Sequence, residues 1–509
     1  MTSPPKAGDA SARPSLAEAT LTGVRWVAIA RLLTEALAFG VMVWLAHLLT
    51  PAEFGRAAVA LIVNALAVTI AVGGFGAPLV QRRVVERAHL ESAQLAALVC
   101  GAALTCLTYV LAPVVAEPLF GAATRDLIQL MSPVFLVTSL GVVSQAILQR
   151  RLDFRRLSLI EVAALVCGGS VSLALANAGS GAEALILGAL ASAAMIALLQ
   201  QAATPIVLPR WHGREGREIL AFGTPSAASS LVDVAHKNVD YAILGVKLQA
   251  AQVGFYWRAF QLGIDHQRKI SGILMRIALP VYSRADDAEH RRRIRARIVK
   301  VQTAVIFPLL ATLITVAPVL IPWLLGDRWS QSVAPAQILA VAGMAVCVLT
   351  GLGPLMIAAG EPRALLAFNL LSATAFACVV LLTAPLGLIA VCVAVTAFYV
   401  TQVLAAHRFL FERLLGIPMR QVLADVTPAG VSAAALLVVA FPTAQVLERL
   451  EIPALLHLAA TGLVAAAVYL GVLRLLFQAT WSDLVLVVRR VAGRRTRATE
   501  QAPLSPAVG

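Results

Sequence analysis

Charge is scarce in this chain. Only 13% of its 509 residues are Asp, Glu, Lys or Arg, against roughly a quarter in a soluble domain. That scarcity, with a mean hydropathy of +0.83, excludes an ordinary soluble fold and places the chain among polytopic membrane proteins. Cysteine is also sparse. The six residues Cys100, Cys106, Cys167, Cys347, Cys378 and Cys392 lie in apolar runs and none forms a CxxC pair, so neither a disulfide framework nor a metal site is expected. No Gly-rich phosphate loop, His/Cys cluster or nucleophile–base pair stands in the polar segments, and no cofactor is expected. His47, His89, His212 and His457 are scattered and read as structural. Carboxylates are outnumbered, giving a formal charge of +14. The basic residues sit in short loops between apolar runs, without aromatics or a recognition helix, which argues against nucleic acid.

What is present is apolar length. A spanning helix takes roughly 20 apolar residues, and fourteen segments qualify: 24–48, 57–80, 93–115, 126–148, 158–177, 182–203, 219–245, 254–282, 299–323, 334–358, 364–383, 386–407, 422–442 and 454–477. The first, seventh and eighth are the most polar. With residues 1–23 on the cytoplasmic side, 28 of the 41 Lys and Arg fall on that side, 5 fall opposite and 8 lie within or at the ends of spans. This positive-inside asymmetry supports the span count, because dropping one helix would invert every later loop. The expected protein is all-α and multi-pass, in a bacterial inner membrane, with both termini cytoplasmic. Residues 1–19 read as a polar, Pro-rich tail with no cleavable signal peptide. The densest basic stretch, Ser283 to Lys300, reads as a topological anchor touching anionic headgroups.

A weak internal repeat organises the spans. LTPAEFGRAAVAL follows the first span and LQAAQVGFYWRAF the seventh; aligning Gly55 with Gly254 sets an offset of 199 residues. The same offset pairs span one with seven and two with eight. Two six-helix halves in the same orientation follow, 20–203 and 219–411, related by a pseudo-two-fold along the membrane normal. A basic linker, 204–218, joins them. Two further helices (412–480) and a basic tail (481–509) complete the chain.

Polar residues within the spans gather near its middle. Ser226, Ser230, Asp233, Lys237 and Asp240 fall at helical spacing on one face. After a break at 246–253, Arg258, Gln261, Asp265, Lys269 and Arg276 form a second stripe. Charges at membrane depth normally face a bundle interior or a watery cavity. Two consecutive striped helices predict a hydrated, net positive chamber; the other reading is that the stripes tie helices together by ion pairs. Arg31 and Glu35, four residues apart on the first span, either line that chamber or pair with each other. His236 and His266 lie in the striped helices, where a titratable group has functional potential.

The run LAHLLTPAEFGRAAVALIVNALAVTIAVGGFGAPLVQRR resembles the first two helices of bacterial polysaccharide repeat-unit flippases of the Wzx type. These belong to the multidrug/oligosaccharidyl-lipid/polysaccharide exporter superfamily. RRLDFRRLSLIEV, the NVDYAILG-to-GFYWRAFQL segment, SGILMRIALPVYSR, LLGDRWSQSVAPAQILA and MIAAGEPRALLAFNLL fit as well, so the resemblance runs from about residue 20 to 480. It implies two six-helix bundles forming a V around a central cavity. It also implies movement of an undecaprenyl-pyrophosphate-linked glycan from the inner to the outer leaflet, for capsule, O-antigen or exopolysaccharide. On that reading Arg258, Arg268, Lys269 and Arg276 are the phosphate candidates, because forked Arg donors suit phosphate. Lys269 and Arg276 serve equally as anchors at a helix end, and Asp233, Asp240 and Asp265 either balance charge or carry a coupled cation. Partners would be membrane lipids and the polymerase and export machinery of the pathway. A cation-coupled drug exporter, which would favour a carboxylate-rich cavity, and a membrane-embedded glycan polymerase or ligase are the alternatives.

Overall fold

The computed structural model describes residues 33–272, 282 and 287–491. Among these residues the regular structure is helical throughout. In chain order the helices are α1 (Leu33–Leu48), α2 (Pro51–Gln81), α3 (Arg87–Phe120), α4 (Ala122–Arg150), α5 (Phe154–Asn177), α6 (Glu183–Ala202), α7 (Gly213–Lys247) and α8 (250–272). They continue as α9 (Ala288–Leu325), α10 (Asp327–Ala358), α11 (Arg363–Leu386), α12 (Leu388–Leu415), α13 (Met419–Arg449), α14 (Ala454–Leu476) and α15 (Gln478–Val491). Eleven of them, α2–α6 and α9–α14, are long and apolar enough to cross a membrane. The protein is thus multi-pass. Of the four described helices that miss this mark, α1, α7 and α8 correspond to spans one, seven and eight, the most polar of the fourteen expected segments, and α15 is a 14-residue helix beyond the last of them. Arg31 and Arg276 lie outside the described residues, as do the 1–19 tail and residues 492–509.

The chain forms two compact units, Met1–Gly254 and Phe255–Gly509. The boundary falls in the first turn of α8 and not in the 204–218 linker. In the first unit, α2 begins where Thr50-Pro51-Ala52-Glu53 makes a capping box. The Thr50 N–H donates to Glu53 Oε2 (2.6 Å), and the Glu53 N–H donates to Thr50 Oγ1 (3.3 Å). Two orphan amides are satisfied reciprocally, and Pro51 fits the first helical position without needing its missing donor. Small residues Ala57, Ala60 and Ala67 let α2 sit close against Leu127, Met131 and Ile186 of α4 and α6. Further along, Ala71, Phe75 and Leu79 pack with Ala93, Ala97, Val142 and Ile219, which draws α7 into this unit. A π turn at Val72–Gly76 widens α2 there.

Helices approach closely in this unit at Gly55. A Cβ on Gly55 would lie 1.8 Å from the Ala250 carbonyl oxygen, and one on Gly254 would lie 1.9 Å from that of Pro51. Neither neighbour is a side chain that can swing aside. Gly55→Ala and Gly254→Ala are each expected to cost about 1–3 kcal/mol, the usual price of overpacking. Melting of the purified protein checks this, with Gly40→Ala as the control, since a Cβ there meets nothing within 4 Å.

Several basic residues that carry the charge asymmetry also hold helix ends. The Arg150 guanidinium donates to the carbonyls of Leu79 (2.8 Å), Arg82 (2.6 Å) and Arg83 (3.2 Å), closing the C-terminal end of α2. Those carbonyls have no partner within the helix, so a guanidinium answers both the missing donors and the negative end of the dipole. Glu218 on α7 accepts from Arg82 (2.5 Å) and Arg214 (3.1 Å), and its Oε2 lies 3.3 Å from His89 Nε2. Glu91 accepts from Arg87 (2.8 Å) and lies 2.9 Å from His212 Nε2. His89 and His212 are therefore structural, as their scattered positions predict.

In the second unit, Ile306, Leu310, Ala340, Leu436, Ala465 and Tyr469 form a core shared by α9, α10, α13 and α14. The stretch expected to be a basic loop through Lys300 is helix from Ala288 onward, capped by Asp287, whose Oδ1 accepts from the His290 N–H (2.6 Å). That hydrogen bond holds the Asp287 carboxyl below the usual carboxylate range. The arginines of this stretch face protein. Arg295 is ion-paired and hydrogen-bonded to Asp425 of α13, both side chains under 5% exposed. Lys300 lies 3.6 Å from the same carboxylate, Arg297 pairs with Asp483 of α15 (2.9 Å), and Arg292 donates to the Leu415 carbonyl (2.6 Å). The first turns of α9 thus clamp the Leu415 end of α12, α13 and α15, and the anchor reading covers only the exposed members.

Candidate functional site

In the first unit the polar face of α7 is partly spent on structure. A Cβ on Gly73 would lie 3.2 Å from Ser230 Oγ, so Ser230 faces the π turn of α2. Its hydroxyl donates to the Ser226 carbonyl (3.0 Å). Two turns on, Lys237 is exposed. Asp240 is 1% exposed, and its Oδ1 accepts from the Tyr241 N–H at 2.9 Å. Asp233 belongs to α7, but its side chain lies outside the described residues. On α1, Glu35 is half-buried.

In the second unit α8 carries two polar faces, and they differ. Gln267 and Ser271 are buried. Ser271 Oγ accepts from Gln267 Nε2 (3.0 Å) and Gln302 Nε2 (2.8 Å), and Gln302 also donates to the Cys347 carbonyl (3.2 Å). This face ties α8 to α9 and α10. The helices touch where a Cβ on Gly343 would lie 2.0 Å from the Gly263 carbonyl oxygen. Gly263 sits in a π turn, Gln261–Asp265, that widens α8 and brings His266 Nδ1 to 2.5 Å from the Gln261 carbonyl oxygen. π turns recur at functional sites because they redirect the side chains that follow.

The other face carries the arginines, and both stand among aromatic rings. Arg258 is 1% exposed. It donates to Gln261 Oε1 (2.7 Å), and its guanidinium lies 5.1 Å from the Trp257 ring centroid and 5.5 Å from that of Trp329. Phe255 meets Trp329 edge-on. Arg268 is more open, its side chain 32% exposed, with Asp265 at 35%. It donates to Tyr399 Oη (2.9 Å), lies 3.8 Å from Asp265 Oδ1, and stands 5.6 and 5.9 Å from the rings of Phe260 and Tyr399. Phe376 and Phe398 pack around Tyr399 and fix its hydroxyl. Lys269 is exposed. Aromatic faces stabilise a cation without neutralising it. Arg268 is thereby held in one direction with about a third of its side chain exposed, whereas Arg258 is enclosed by protein.

Sequence reasoning found the arginines but not their walls. Trp257 and Phe260 flank Arg258 in GFYWRAF and were legible as neighbours. Tyr399 lies far along the chain within the apolar span 386–407 and Trp329 between the spans 299–323 and 334–358, and no spacing rule connects them to α8. Among the described residues no group of three or more His, Cys, Asp or Glu is placed to hold a metal.

Known proteins fit this fold. The lipid II flippase MurJ, in an inward closed conformation, superposes with a TM-score of 0.70 over 92% of this chain and 99% of its own, at 13% identity. An inward-facing multidrug resistance transporter of the MATE family aligns with a TM-score of 0.56 over 77% of this chain, at 15% identity. At those identities the likeness establishes the fold, that of membrane transporters. In sequence, the chain is 25% identical over 414 residues to the lipopolysaccharide biosynthesis protein WzxC of Escherichia coli K12, covering 80% of this chain and 84% of the relative. It is 25% identical over 370 residues to the teichuronic acid biosynthesis protein TuaB of Bacillus subtilis 168, covering 70% and 74%. Residues 44–334, more than half of the chain, match the polysaccharide biosynthesis protein family, and the chain belongs to that family.

Proposed function

We propose that this protein is a flippase that moves a polyprenyl-pyrophosphate-linked oligosaccharide from the cytoplasmic to the outer leaflet of a bacterial inner membrane, for surface or extracellular polysaccharide. It is a transporter and not an enzyme, on the strength of its relatives and its fold. A sugar headgroup and an anionic pyrophosphate cannot cross about 30 Å of hydrocarbon unaided. The observation that carries the reading is Arg268: a guanidinium on α8, oriented by Tyr399 and Asp265, with a third of its side chain exposed. Intramembrane cations kept partly accessible mark substrate paths, and a forked donor suits a pyrophosphate. On this reading Lys269, exposed on the same helix, adds positive charge beside Arg268, and Asp265 tempers it; Arg31, Glu35, Asp233, Lys237, Asp240, Arg258 and Arg276 remain candidates from the sequence pattern alone. The polymerase and export machinery of the pathway would take up the product.

The 20–203 and 219–411 repeat belongs to this proposal. Gly55 abuts Ala250 while Gly254 abuts Pro51, and Pro51 and Ala250 are themselves counterparts at the 199-residue offset. Segments 51–55 and 250–254 thus touch reciprocally, as a local two-fold axis requires. Reporter fusions truncated after Arg156 are expected to report cytoplasm and those after Lys247 the opposite side. If both report the same side, the fourteen-span topology and the cytoplasmic termini fail.

Flipping itself is tested in proteoliposomes loaded with a fluorescent polyprenyl-pyrophosphate oligosaccharide. Access of an external glycosidase to the inner-leaflet pool is expected to accelerate when the protein is present. Unchanged access together with protein-dependent efflux of cationic dyes would overturn the reading in favour of a drug exporter.

A further inference from the structure

An apolar groove of about 630 Å³ lies wholly within the first unit, between α3 and α7, with the π turn of α2 as its floor. Its volume is that of a ligand pocket. Gly74, Val99, Ala103, Leu220, Ala228 and Leu231 are among its lining residues. The floor is possible because Gly223 and Gly74 meet without side chains: a Cβ on Gly223 would lie 1.9 Å from the Gly74 carbonyl oxygen. Val99 is 61% exposed, so the groove opens sideways. From Leu220 to Leu231 it follows α7 for about 16 Å at 1.5 Å per residue, the depth of one leaflet of a core roughly 30 Å thick.

Its mouth is built differently. Trp211 lines it, the indole stacked on the first turn of α7, where a Cβ on Gly216 would lie 2.5 Å from the ring. The backbone is pinned to α3 on both sides, by the Arg210 N–H to the Glu91 carbonyl (3.3 Å) and the His212 N–H to Ser92 Oγ (3.0 Å). Tryptophan favours the headgroup level, with its apolar body inward and its N–H toward water. Beside it stand the exposed Arg210 and Arg217. Arg87 and Arg214 are occupied by Glu91 and Glu218, while among the described residues no acceptor is given to Arg210 or Arg217.

We propose that this groove holds one acyl chain of an anionic bilayer phospholipid, with the phosphate at Arg210 and Arg217. An apolar slot of single-leaflet depth, an indole at its mouth and two uncommitted guanidinium groups beyond it match that amphiphile from tail to head. The carried substrate is the poorer fit, because its phosphates must travel, whereas this mouth is fixed by backbone hydrogen bonds. The inference stands apart from the flippase reading and rests on different residues.

Native mass spectrometry of the purified full chain tests it, titrating phosphatidylglycerol against phosphatidylcholine with the same chains. Phosphatidylglycerol is expected to bind more tightly by about fivefold for each arginine. Arg210→Gln with Arg217→Gln is expected to erase that preference without touching packed atoms. Ala228→Phe and Ala103→Phe, both at exposed lining positions, are each expected to lower occupancy of either lipid about tenfold, whereas Leu463→Phe, on the exposed surface elsewhere, leaves it unchanged. Equal affinity for the two lipids would overturn the proposal, as would wild-type occupancy in both filled variants. So would displacement of phosphatidylglycerol by equimolar undecaprenyl phosphate, which would give the groove to the carrier lipid.

Discussion

Arg268→Ala is expected to slow glycan flipping by about 10- to 100-fold while leaving the amount of protein in the membrane within about twofold of wild type. A charge-assisted hydrogen bond contributes about 1.5–3 kcal/mol, so losing the pyrophosphate contact slows transport on the order of 10- to 100-fold. Protein amount should hold because the Arg268 side chain is one-third exposed and its carboxylate neighbour, Asp265, is equally open; neither is left buried and unpaired. Arg268→Lys should retain part of the activity, since the charge survives and the fork does not. Tyr399→Phe removes only the hydroxyl that orients the guanidinium, and its cost should be about tenfold or less, near the net worth of one hydrogen bond. Arg258→Ala is the informative contrast. That side chain is enclosed by Trp257, Trp329 and Gln261, so its removal should empty a packed site and lower protein amount together with flipping. The measurements are glycosidase accessibility in proteoliposomes and quantitative blotting of membranes. If Arg268→Ala flips at the wild-type rate, the aromatic-walled arginine is structural and the phosphate site lies elsewhere.

The second large effect concerns stability. Asp425→Ala alone is expected to destabilise the second unit by about 3–5 kcal/mol, because it leaves the buried Arg295 charge without its carboxylate, and Arg295→Ala by less, because Lys300 still lies 3.6 Å from Asp425. Arg295→Met with Asp425→Leu should recover most of that loss, as an apolar pair of similar volume commonly replaces a buried ion pair at little cost. Lys300, 32% exposed at 3.6 Å from Asp425, can turn toward solvent in the double variant. The readout is the melting temperature of the detergent-solubilised protein, together with protease sensitivity of α13–α15. Flipping by the recovered double variant should be near wild type, which separates this clamp from the transport path. Equal melting of the single and double variants would mean the charges are solvated in the native state.

Topological class was written in the sequence because the bilayer imposes it. Apolar length, the 28-to-5 distribution of basic loop residues and the near absence of catalytic side chains each follow from rules that act on composition and order alone. The same rules singled out α1, α7 and α8, since a charge at membrane depth is conspicuous wherever it points. What each of those charges does was not legible. A helical stripe fixes which residues share a face, not what stands opposite. Gln267 and Ser271 proved to be bonded into α9 and α10, while Arg268, at similar depth on the same helix, faces Tyr399.

The sequence by itself determined an all-helical, multi-pass transporter, its basic-loop asymmetry and the helices that carry its polar groups. Only the tertiary structure decided which cations are spent. Arg150 closes the end of α2, Arg292 and Arg295 clamp α9 to the segment from Leu415 to α13, and Arg258 is walled in by tryptophans. Arg268 keeps 32% of its side chain exposed. The physical reason is range. Hydrophobicity and helical periodicity are local and sum along the chain, whereas the fate of a charge depends on one or two atoms within about 4 Å of it. For two of these cations the atoms come from segments more than 100 residues away, as Tyr399 does to Arg268 and Asp425 to Arg295.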